Sequence, residues 1–343
     1  ARGQDGTDLS RDGARAVVSP GFVDLQVNGG GGRMLADCTT PAEVLEIAAA
    51  HRATGTDSLL PTLVSDTPEE VERVVDLVAA AQARAPGAIL GLHLEGPHLA
   101  VAGAHDPDRL RPMTRADLKT YAAARARLGR LLLTVAPEVV TPAQIAALCE
   151  AGGTVALGHT ACDHDGATAA FAAGAVMATH LFNAMSGLQH RAPGLVGAVL
   201  DGGHPFGLVA DGIHVHRAAL RIALAASPTA GVLVSDAMAP AGTRATGFTL
   251  GGRRVHRRDG RLELSDGTLA GADLTLASAV ANVARWRFAP VAEVVPMALD
   301  APYRVLDLPA PELRAGAAAS LLVWRDGRAE SRIDGPDLAP LIA

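Results

Sequence analysis

Three side chains that can bind a metal ion follow short apolar runs at distant points of the chain. Glu95 ends the run Ile89 to Leu94, and His159 and His180 each come directly after another such run. A carboxylate and two neutral imidazoles suit a divalent cation such as zinc and leave a position open for water. Each residue alone also has a structural explanation, because a glutamate can cap the next segment and a lone histidine often belongs to the core. Their equivalent positions favour a metal site.

A further carboxylate, Asp236, ends the apolar run Val232 to Ser235. A carboxylate beside activated water can take its proton and later return it to a leaving nitrogen. An aspartate that caps a turn is the alternative. Because Asp236 holds the same position as the candidate metal ligands, the pattern predicts metal-assisted hydrolysis with Asp236 as general base and acid.

Two other side chains, Arg191 and His214, offer groups that can bind an anion. An arginine fork suits a phosphate monoester better than a lysine does, and Lys119 is the only lysine of the chain. A surface arginine without a ligand is equally ordinary, so both explanations of Arg191 stay open. The glycines Gly29 to Gly32 form neither a dinucleotide-binding pattern nor a P-loop, and we interpret them as a loop that passes close to the site.

The elements that must position these residues form a repeat of apolar run, turn and alanine-rich helical segment. The predicted strands are Phe22 to Val27, Ser58 to Val64, Ile89 to Leu94, Leu131 to Ala136, Thr154 to Gly158, Val176 to Thr179, Phe206 to Ala210 and Val232 to Ser235. Predicted helices between them include 41–53, 67–83, 114–127, 141–151 and 218–226, several with a Thr or Pro start signal.

Alternating strands and helices imply parallel strands, and eight units favour a closed (β/α)8 TIM-type barrel over an open sheet. The candidate site residues fall at or just after the carboxyl ends of their strands. In such a barrel these ends meet at one face, so residues far apart in sequence converge there.

The predicted domain organisation is a hydrolase barrel over 20–309 and a small β subdomain built from 1–19 and 310–343, its N-terminal part shortened. Turn signals at Gly251-Gly252, Asp259-Gly260 and Asp266-Gly267 predict a β insertion at about 241–275. A further strand is predicted at 318–324.

Composition excludes some classes of partner and compartment. The 343 residues carry a net charge of -6, which gives no broad basic field for nucleic acid. The three cysteines are scattered, without disulfide or zinc-ribbon spacing, and favour a reducing cytoplasm. The start lacks a secretory pattern and no run reaches membrane-spanning length, so we expect a soluble protein with no membrane partner.

Nine motifs occur in an order that resembles the N-acetylglucosamine-6-phosphate deacetylases of the amidohydrolase superfamily, and they cover nearly the whole barrel. They are Pro20 to Gly30, Gly91 to Pro97, Gly103-Ala104-His105, Gly158-His159, Thr179 to Met185, Arg191 to Gly194, Ala210 to Val215, Ser235 to Gly242 and Leu269-Ala270-Gly271. The resemblance implies hydrolysis of N-acetylglucosamine 6-phosphate to glucosamine 6-phosphate and acetate, in amino-sugar catabolism or cell-wall recycling.

The resemblance also implies roles for individual residues. Glu95, His159 and His180 would bind one divalent ion per subunit, zinc in the first place, with iron or another divalent ion as alternatives. Asp236 would be the catalytic acid and base. The residues implied to contact the amino-sugar phosphate are Ala104, His105, Asn183, Ala184, Arg191, His214, Leu269, Ala270 and Gly271. A homodimer is implied, in which Arg191 reaches the neighbouring phosphate site.

The chain departs from its relatives in three places. The usual first-strand His-x-His pair is replaced by Gln26-Val27-Asn28, and because amides bind zinc poorly we predict a mononuclear site. The N-terminal segment is shorter than expected. Asp300-Ala301-Pro302-Tyr303 stands where relatives commonly carry Asn-Pro-Ala.

Two rival functions use the same residues. The site could hydrolyse another amide, such as an N-acetyl-D-amino acid or an epimeric amino sugar. Alternatively, the chain could be a sugar-phosphate-binding regulator on an inactive scaffold. Retention of both a metal cage and a proton-transferring carboxylate argues against the regulator.

Overall fold

The computed structural model describes residues 17–311 and 319–335. Its strands, numbered along the chain, are β1 (Val17–Pro20), β2 (Phe22–Val27), β3 (Gly29–Gly30), β4 (Arg33–Met34), β5 (Thr56–Val64), β6 (Leu92–Glu95), β7 (Leu131–Val135), β8 (Thr154–Leu157), β9 (Met177–Ala178), β10 (Phe206–Leu208), β11 (Gly231–Leu233), β12 (Gly247–Leu250), β13 (Arg253–Arg258), β14 (Arg261–Leu264), β15 (Leu269–Ala272), β16 (Ala319–Arg325) and β17 (Arg328–Gly335). Its α-helices are α1 (Pro41–Arg52), α2 (Pro68–Arg84), α3 (Arg115–Leu128), α4 (Pro142–Glu150), α5 (His164–Ala172), α6 (Gly194–Gly202), α7 (Arg217–Ala226), α8 (Leu276–Arg287), α9 (Val291–Val294) and α10 (Asp300–Val305).

Eight parallel strands form the barrel, in the order β2-β5-β6-β7-β8-β9-β10-β11. The ring closes just beyond β11, where the Asp236 N–H donates to the Gln26 carbonyl at 3.1 Å and the Asn28 N–H donates to the Ala237 carbonyl at 2.9 Å. The predicted (β/α)8 barrel is therefore confirmed, and Asp236 lies on the seam between its first and last strands.

Threonine caps explain where four of the predicted helices begin. The side chain of the threonine before each helix accepts a hydrogen bond from the backbone N–H three residues later, and this satisfies one of the free donors of the first turn. These threonines are Thr40, Thr67, Thr114 and Thr141.

Several barrel strands end one or two residues earlier than predicted. The run predicted to end at Thr179 ends at Ala178, and the run predicted to end at Ser235 ends at Leu233. Just beyond these ends the backbone leaves extended geometry, with φ of 27° at His180 and 50° at Asp236. The apolar run continues in the sequence, but the chain bends to present its polar residue.

The β insertion is a four-stranded antiparallel sheet in the order β12-β13-β14-β15. The three predicted turns connect its strands, and Phe248, Val255 and Leu262 bury its inner face against Met238. This sheet lies between the last barrel strand and α8, within the predicted span.

The two ends of the chain meet in a small antiparallel sheet of order β1-β16-β17. Trp324, only 1% exposed, donates from Nε1 to the Ser19 hydroxyl at 3.0 Å, and its ring lies 5.8 Å from that of Phe22 in the barrel. Of the predicted subdomain, residues 1–16, 312–318 and 336–343 lie outside the described part of the chain. The domain boundaries remain a prediction.

Replacing Trp324 with alanine is expected to destabilise the protein by about 3–5 kcal/mol, the usual cost of deleting a buried aromatic side chain. The midpoint of urea unfolding measures the loss. Trp324→Phe is the control, because it keeps most of the buried area and gives up the hydrogen bond to Ser19. Equal stability of the alanine variant and the parent protein would mean that this sheet contributes little to the barrel.

Among the described residues, no helix is long and apolar enough to cross a membrane.

Candidate active site

A cavity of about 640 Å³ opens at the carboxyl ends of the barrel strands. Most of the predicted site residues line it, although they come from distant parts of the chain. Those that do are Glu95, Ala104, His105, His159, His180, Asn183, Ala184, His214, Asp236, Leu269 and Gly271. The barrel therefore brings together Glu95, His159, His180, Asn183, His214 and Asp236 as the strand-end argument predicts, and the other lining residues come from loops and from the β insertion.

The three predicted metal ligands form one buried cluster. Nε2 of His180 lies 2.8 Å from Oε1 of Glu95, and Nε2 of His159 lies 3.3 Å from the same oxygen. The two Nε2 atoms are 3.1 Å apart. One potential ligand atom from each of the three residues lies within 4.8 Å of those of the other two. A carboxylate oxygen and two imidazole nitrogens at these separations are a suitable donor set for a divalent cation.

The protonation of His159 fits metal binding. Its Nδ1 lies 2.7 Å from the carbonyl oxygen of Val101, to which it donates a hydrogen bond. In the neutral ring Nε2 then carries a lone pair, and that atom points into the cluster with Glu95 and His180. A histidine that binds a metal through one ring nitrogen commonly donates a hydrogen bond to a carbonyl oxygen through the other.

Glu95 supplies the negative charge of this cluster. Burial opposes its ionisation, but the three surrounding imidazoles of His105, His159 and His180 outweigh that penalty and hold the pKa of Glu95 well below its usual range. The side chain is 3% exposed. An ionised carboxylate is the form that binds a cation.

The backbone is strained at the site. His159, His180 and Asp236 have φ values of 49°, 27° and 50°, in the left-handed region that residues other than glycine rarely adopt. Such conformations persist only where the surrounding structure enforces them, and they concentrate at functional sites. The strain therefore supports a shared function for these residues.

Two amide side chains hold the carboxylate of Asp236. Nε2 of Gln26 donates to Oδ1 of Asp236 at 3.1 Å, and Nδ2 of Asn28 donates to the same oxygen at 2.8 Å. Gln26 also donates to Oε1 of Glu95 at 3.1 Å. Burial, followed by the negative charge of Glu95, raises the pKa of Asp236 to about 6. We call Gln26 and Asn28 the amide pair.

The amide pair was interpreted from the sequence only as a poor substitute for metal-binding histidines. Its contacts give it a second role that the residue types did not reveal. Because both amides donate to Oδ1, the other oxygen of Asp236 is left to exchange a proton.

His105 contributes a hydrogen-bond donor. Its Nδ1 accepts the backbone N–H of Ser65 at 3.2 Å, so the proton of the neutral ring is on Nε2. That Nε2 lies 3.7 Å from Oε2 of Glu95. A fixed N–H beside the cluster can stabilise negative charge that develops on a carbonyl oxygen.

The other predicted substrate residues divide into two groups. His214 lines the cavity, and its Nδ1 is 2.6 Å from Oδ2 of Asp211, which sets the orientation of the ring. Arg191 and Ala270 are not among the lining residues: Arg191 is exposed, and Ala270 is buried in the core of the β insertion.

The first hairpin of the β insertion, β12 and β13, also forms part of the cavity wall, which the sequence did not predict. Thr249 and Leu250 at the end of β12 and Arg253 at the start of β13 line the cavity on either side of the turn between these strands. Arg253 donates to the carbonyl oxygen of Ala104 and so fastens this turn to a predicted substrate residue. A sequence signal for turns gives no indication of which surface the turn covers.

Two curated relatives of this chain are deacetylases of amino-sugar phosphates. The chain is 39% identical to the N-acetylgalactosamine-6-phosphate deacetylase of Shewanella sp. (strain ANA-3) over 311 residues, 89% of this chain and 78% of that protein. It is 32% identical to the N-acetylglucosamine-6-phosphate deacetylase of Haemophilus influenzae over 85% of this chain and 77% of that protein. The chain belongs to the N-acetylglucosamine-6-phosphate deacetylase family. The resemblance inferred from the nine motifs is thus confirmed.

Solved structures support membership of the deacetylase family. The N-acetylglucosamine-6-phosphate deacetylase of Pasteurella multocida has a TM-score of 0.88 and 30% identity over 94% of this chain and 86% of that chain. A mutant of the Mycobacterium smegmatis enzyme in complex with N-acetyl-D-glucosamine-6-phosphate has a TM-score of 0.85 and 32% identity, over 93% of this chain and 86% of that chain. No family model matches the chain.

Proposed function

We propose that this chain hydrolyses the acetamide of N-acetylglucosamine 6-phosphate to give glucosamine 6-phosphate and acetate. The observation that carries the proposal is the convergence of Glu95, His159 and His180 with Asp236 in one cavity. A set of metal ligands beside a carboxylate that can exchange a proton is the arrangement that hydrolysis of an amide requires. The family relatives favour amino-sugar phosphates as the substrate class.

The cation is proposed to be a single zinc ion held by Glu95, His159 and His180. A divalent cation bound there supplies Lewis-acid chemistry, because it polarises a carbonyl group and makes water more acidic. The amide pair occupies the place of the superfamily's His-x-His ligands and donates N–H groups to both carboxylates. Donors that face the carboxylates supply no lone pair for a second metal, which supports one ion per subunit.

Asp236 carries the proton through the reaction. As general base it takes a proton from the attacking water while the water oxygen forms a bond to the acetamide carbon. It then gives that proton to the nitrogen as the carbon–nitrogen bond breaks, so the amine leaves neutral and acetic acid forms, which loses its proton to solvent as acetate. The two N–H donors on Oδ1 fix the carboxylate, and the pKa raised to about 6 suits a group that must accept and release a proton.

His105 is proposed to stabilise the carbonyl oxygen. Its tautomer, set by the backbone N–H of Ser65, presents Nε2–H at the cluster. This donor is pre-oriented, so it needs no rearrangement when charge develops on the oxygen.

The phosphate is proposed to bind on the side of the barrel formed by β9 and β10. Asn183 and His214 follow these strands and line the cavity. Across the barrel, Asp66 and Glu70 follow β5 and also line the cavity, and each is paired with an arginine, Arg109 and Arg73 respectively.

The homodimer and the role of Arg191 belong to the same proposal. Arg191 lies in the exposed segment 187–192, which also presents Leu188 with 51% exposure. An exposed apolar residue near an exposed arginine suits contact with a second copy, where the arginine would reach the partner's phosphate site. We also propose that the enzyme acts in the cytoplasm, in amino-sugar catabolism or cell-wall recycling.

Replacing His214 with alanine is expected to lower kcat/KM for the phosphorylated sugar by about 10- to 100-fold, the value of a hydrogen bond to a charged group. Hydrolysis of unphosphorylated N-acetylglucosamine should change little. Steady-state kinetics with both sugars measure the difference, and His216→Ala, two residues away at an exposed position, is the control. An equal loss for both sugars would remove His214 from the phosphate site.

N-acetylgalactosamine 6-phosphate is the second candidate substrate. The identity of 39% to the Shewanella enzyme, which is named for the galacto sugar, favours it. The two sugars differ only in configuration at one ring carbon, so the same catalytic groups serve either.

Acetate release from both sugar phosphates by the purified protein tests the proposed function. We expect turnover that a chelator abolishes and added zinc restores, with about one metal ion per chain. Absence of turnover by a protein that contains its metal would point to another amide as substrate. A protein with neither metal nor turnover would favour the sugar-phosphate-binding regulator.

A further inference from the structure

A row of polar side chains crosses the barrel interior next to the metal cluster. Nδ1 of His93 lies 3.3 Å from the Thr62 hydroxyl, and Nε2 of His93 lies 2.8 Å from the Thr134 hydroxyl. The Thr134 and Thr179 hydroxyls are 2.6 Å apart. All four side chains are buried, none more than 3% exposed. We call these four residues the polar row.

The polar row joins strands that are not neighbours. Thr134 lies on β7 and Thr179 directly follows β9, while β8 runs between them. The two hydroxyls meet across β8 because the intervening residue is Gly158. A Cβ added at Gly158 would come within 2.9 Å of Cγ2 of Thr134 and 3.1 Å of Cβ of Thr179. Any larger residue would force the two threonines apart.

Two members of the row, His93 and Thr179, and the intervening Gly158 lie close in sequence to the proposed metal ligands. His93 precedes Glu95 by two residues and, because side chains alternate along a strand, shares its face. Gly158 directly precedes His159, and Thr179 directly precedes His180. Thr62 extends the row to the first strand by accepting the backbone N–H of Val27 at 2.9 Å.

The reaction itself does not use most of this row. His93, Thr134 and Thr179 are not among the residues that line the cavity. A buried polar group is costly unless it is hydrogen-bonded, so these three buried groups, which lie outside the cavity, call for a function. These groups serve as hydrogen-bond partners for one another. A neutral imidazole donates through one nitrogen and accepts through the other, and a hydroxyl does both.

We propose that His93, Thr134 and Thr179 are positioning residues that fix the spacing of the three metal ligands. Their hydrogen bonds set the lateral distance between β6, β7 and the end of β9, and thereby the separation of Glu95 from His180. Outer partners that orient metal ligands are commonly worth 10- to 100-fold in metal affinity. The inference rests on the metal site of the proposed function and is independent of which sugar is hydrolysed.

The test uses valine and serine at the two threonines. Thr134→Val and Thr179→Val keep the side-chain shape and remove the hydroxyl, whereas Thr134→Ser and Thr179→Ser keep the hydroxyl. Tyr121→Phe is the matched control, because it removes another buried hydroxyl, 2.8 Å from Nε2 of His98, away from the cavity. The full-length protein is stripped of metal, and its Zn²⁺ dissociation constant is measured by competition with a chelating dye.

We expect each valine variant to bind Zn²⁺ about tenfold or more weakly than the parent protein. The serine variants and Tyr121→Phe should bind Zn²⁺ as tightly as the parent. The Tm of the metal-free valine variants should fall no further than that of Tyr121→Phe. The absorption spectrum of the Co²⁺-loaded valine variants should also change, because it reports the geometry of the ligands.

Unchanged Zn²⁺ affinity in both valine variants would overturn the inference, as would serine variants that bind as weakly as the valine variants. A parent protein that binds no Zn²⁺ would overturn it as well. The Zn²⁺ measurement contains no substrate, so its result does not depend on turnover. A parent protein that binds Zn²⁺ here but releases no acetate in the separate activity assay would contradict only the proposed function.

Discussion

Replacing Asp236 with asparagine is expected to lower kcat by about a thousandfold or more, while the protein keeps its metal and its stability. Positioned proton transfer contributes about 10²- to 10⁴-fold, and Asp236 is assigned both transfers of the reaction. Asparagine keeps the shape of the side chain but can neither take the proton from water nor return it to the amine. Steady-state acetate release, together with metal analysis of the same sample, measures the effect.

A matched carboxylate outside the cavity provides the control. Glu138 follows β7 at the same end of the barrel and accepts hydrogen bonds from Thr160 and the backbone of Ala161. Glu138→Gln should keep kcat within a few-fold of the parent value. Near-normal turnover by Asp236→Asn would show that another group transfers the proton.

The second large effect is expected from Glu95→Gln, which should lose metal and activity together. Glutamine has no charge to bind a cation, and outer partners of metal sites alone are worth about 10- to 100-fold in affinity, so a direct ligand should cost at least a hundredfold. Competition with a chelator measures metal affinity, and acetate release at increasing zinc concentration measures activity. The metal-free variant should unfold at about the same temperature as the metal-free parent protein, because the substitution removes a buried charge.

The two variants are most informative side by side. Asp236→Asn should contain metal and keep the same low kcat at every zinc concentration, whereas Glu95→Gln should regain part of its activity in excess zinc. If Glu95→Gln bound zinc as tightly as the parent protein, Glu95 would not be a ligand.

The barrel could be predicted from the sequence because its strands are buried on both sides. Such strands appear as continuous apolar runs, and each run ends at the residue where the chain reaches the cavity. Glu95, His159, His180 and Asp236 were found in this way, since one polar residue after an apolar run is a local signal. The hydrogen-bonding threonines before the helices are local signals of the same kind.

The contacts that support the site could not be predicted, because they join residues without a local pattern. The bonds from Gln26 and Asn28 to Asp236 span more than 200 positions of the sequence. The meeting of Thr134 and Thr179 depends on a missing side chain at Gly158, and a single glycine has many possible explanations. Arg253 enters the cavity wall only because the β insertion folds back over the barrel.

The position of Asp236 on the barrel seam has a consequence for the order of events during synthesis. All three proposed metal ligands and the amide pair have left the ribosome once residue 180 has emerged, whereas Asp236 and its bonds to Gln26 and Asn28 come later. A nascent chain that binds a cation at this stage therefore lacks the proposed general base, Asp236. Hydrolysis becomes possible only when the last barrel strand pairs with the first. Incomplete chains are therefore expected to be inactive.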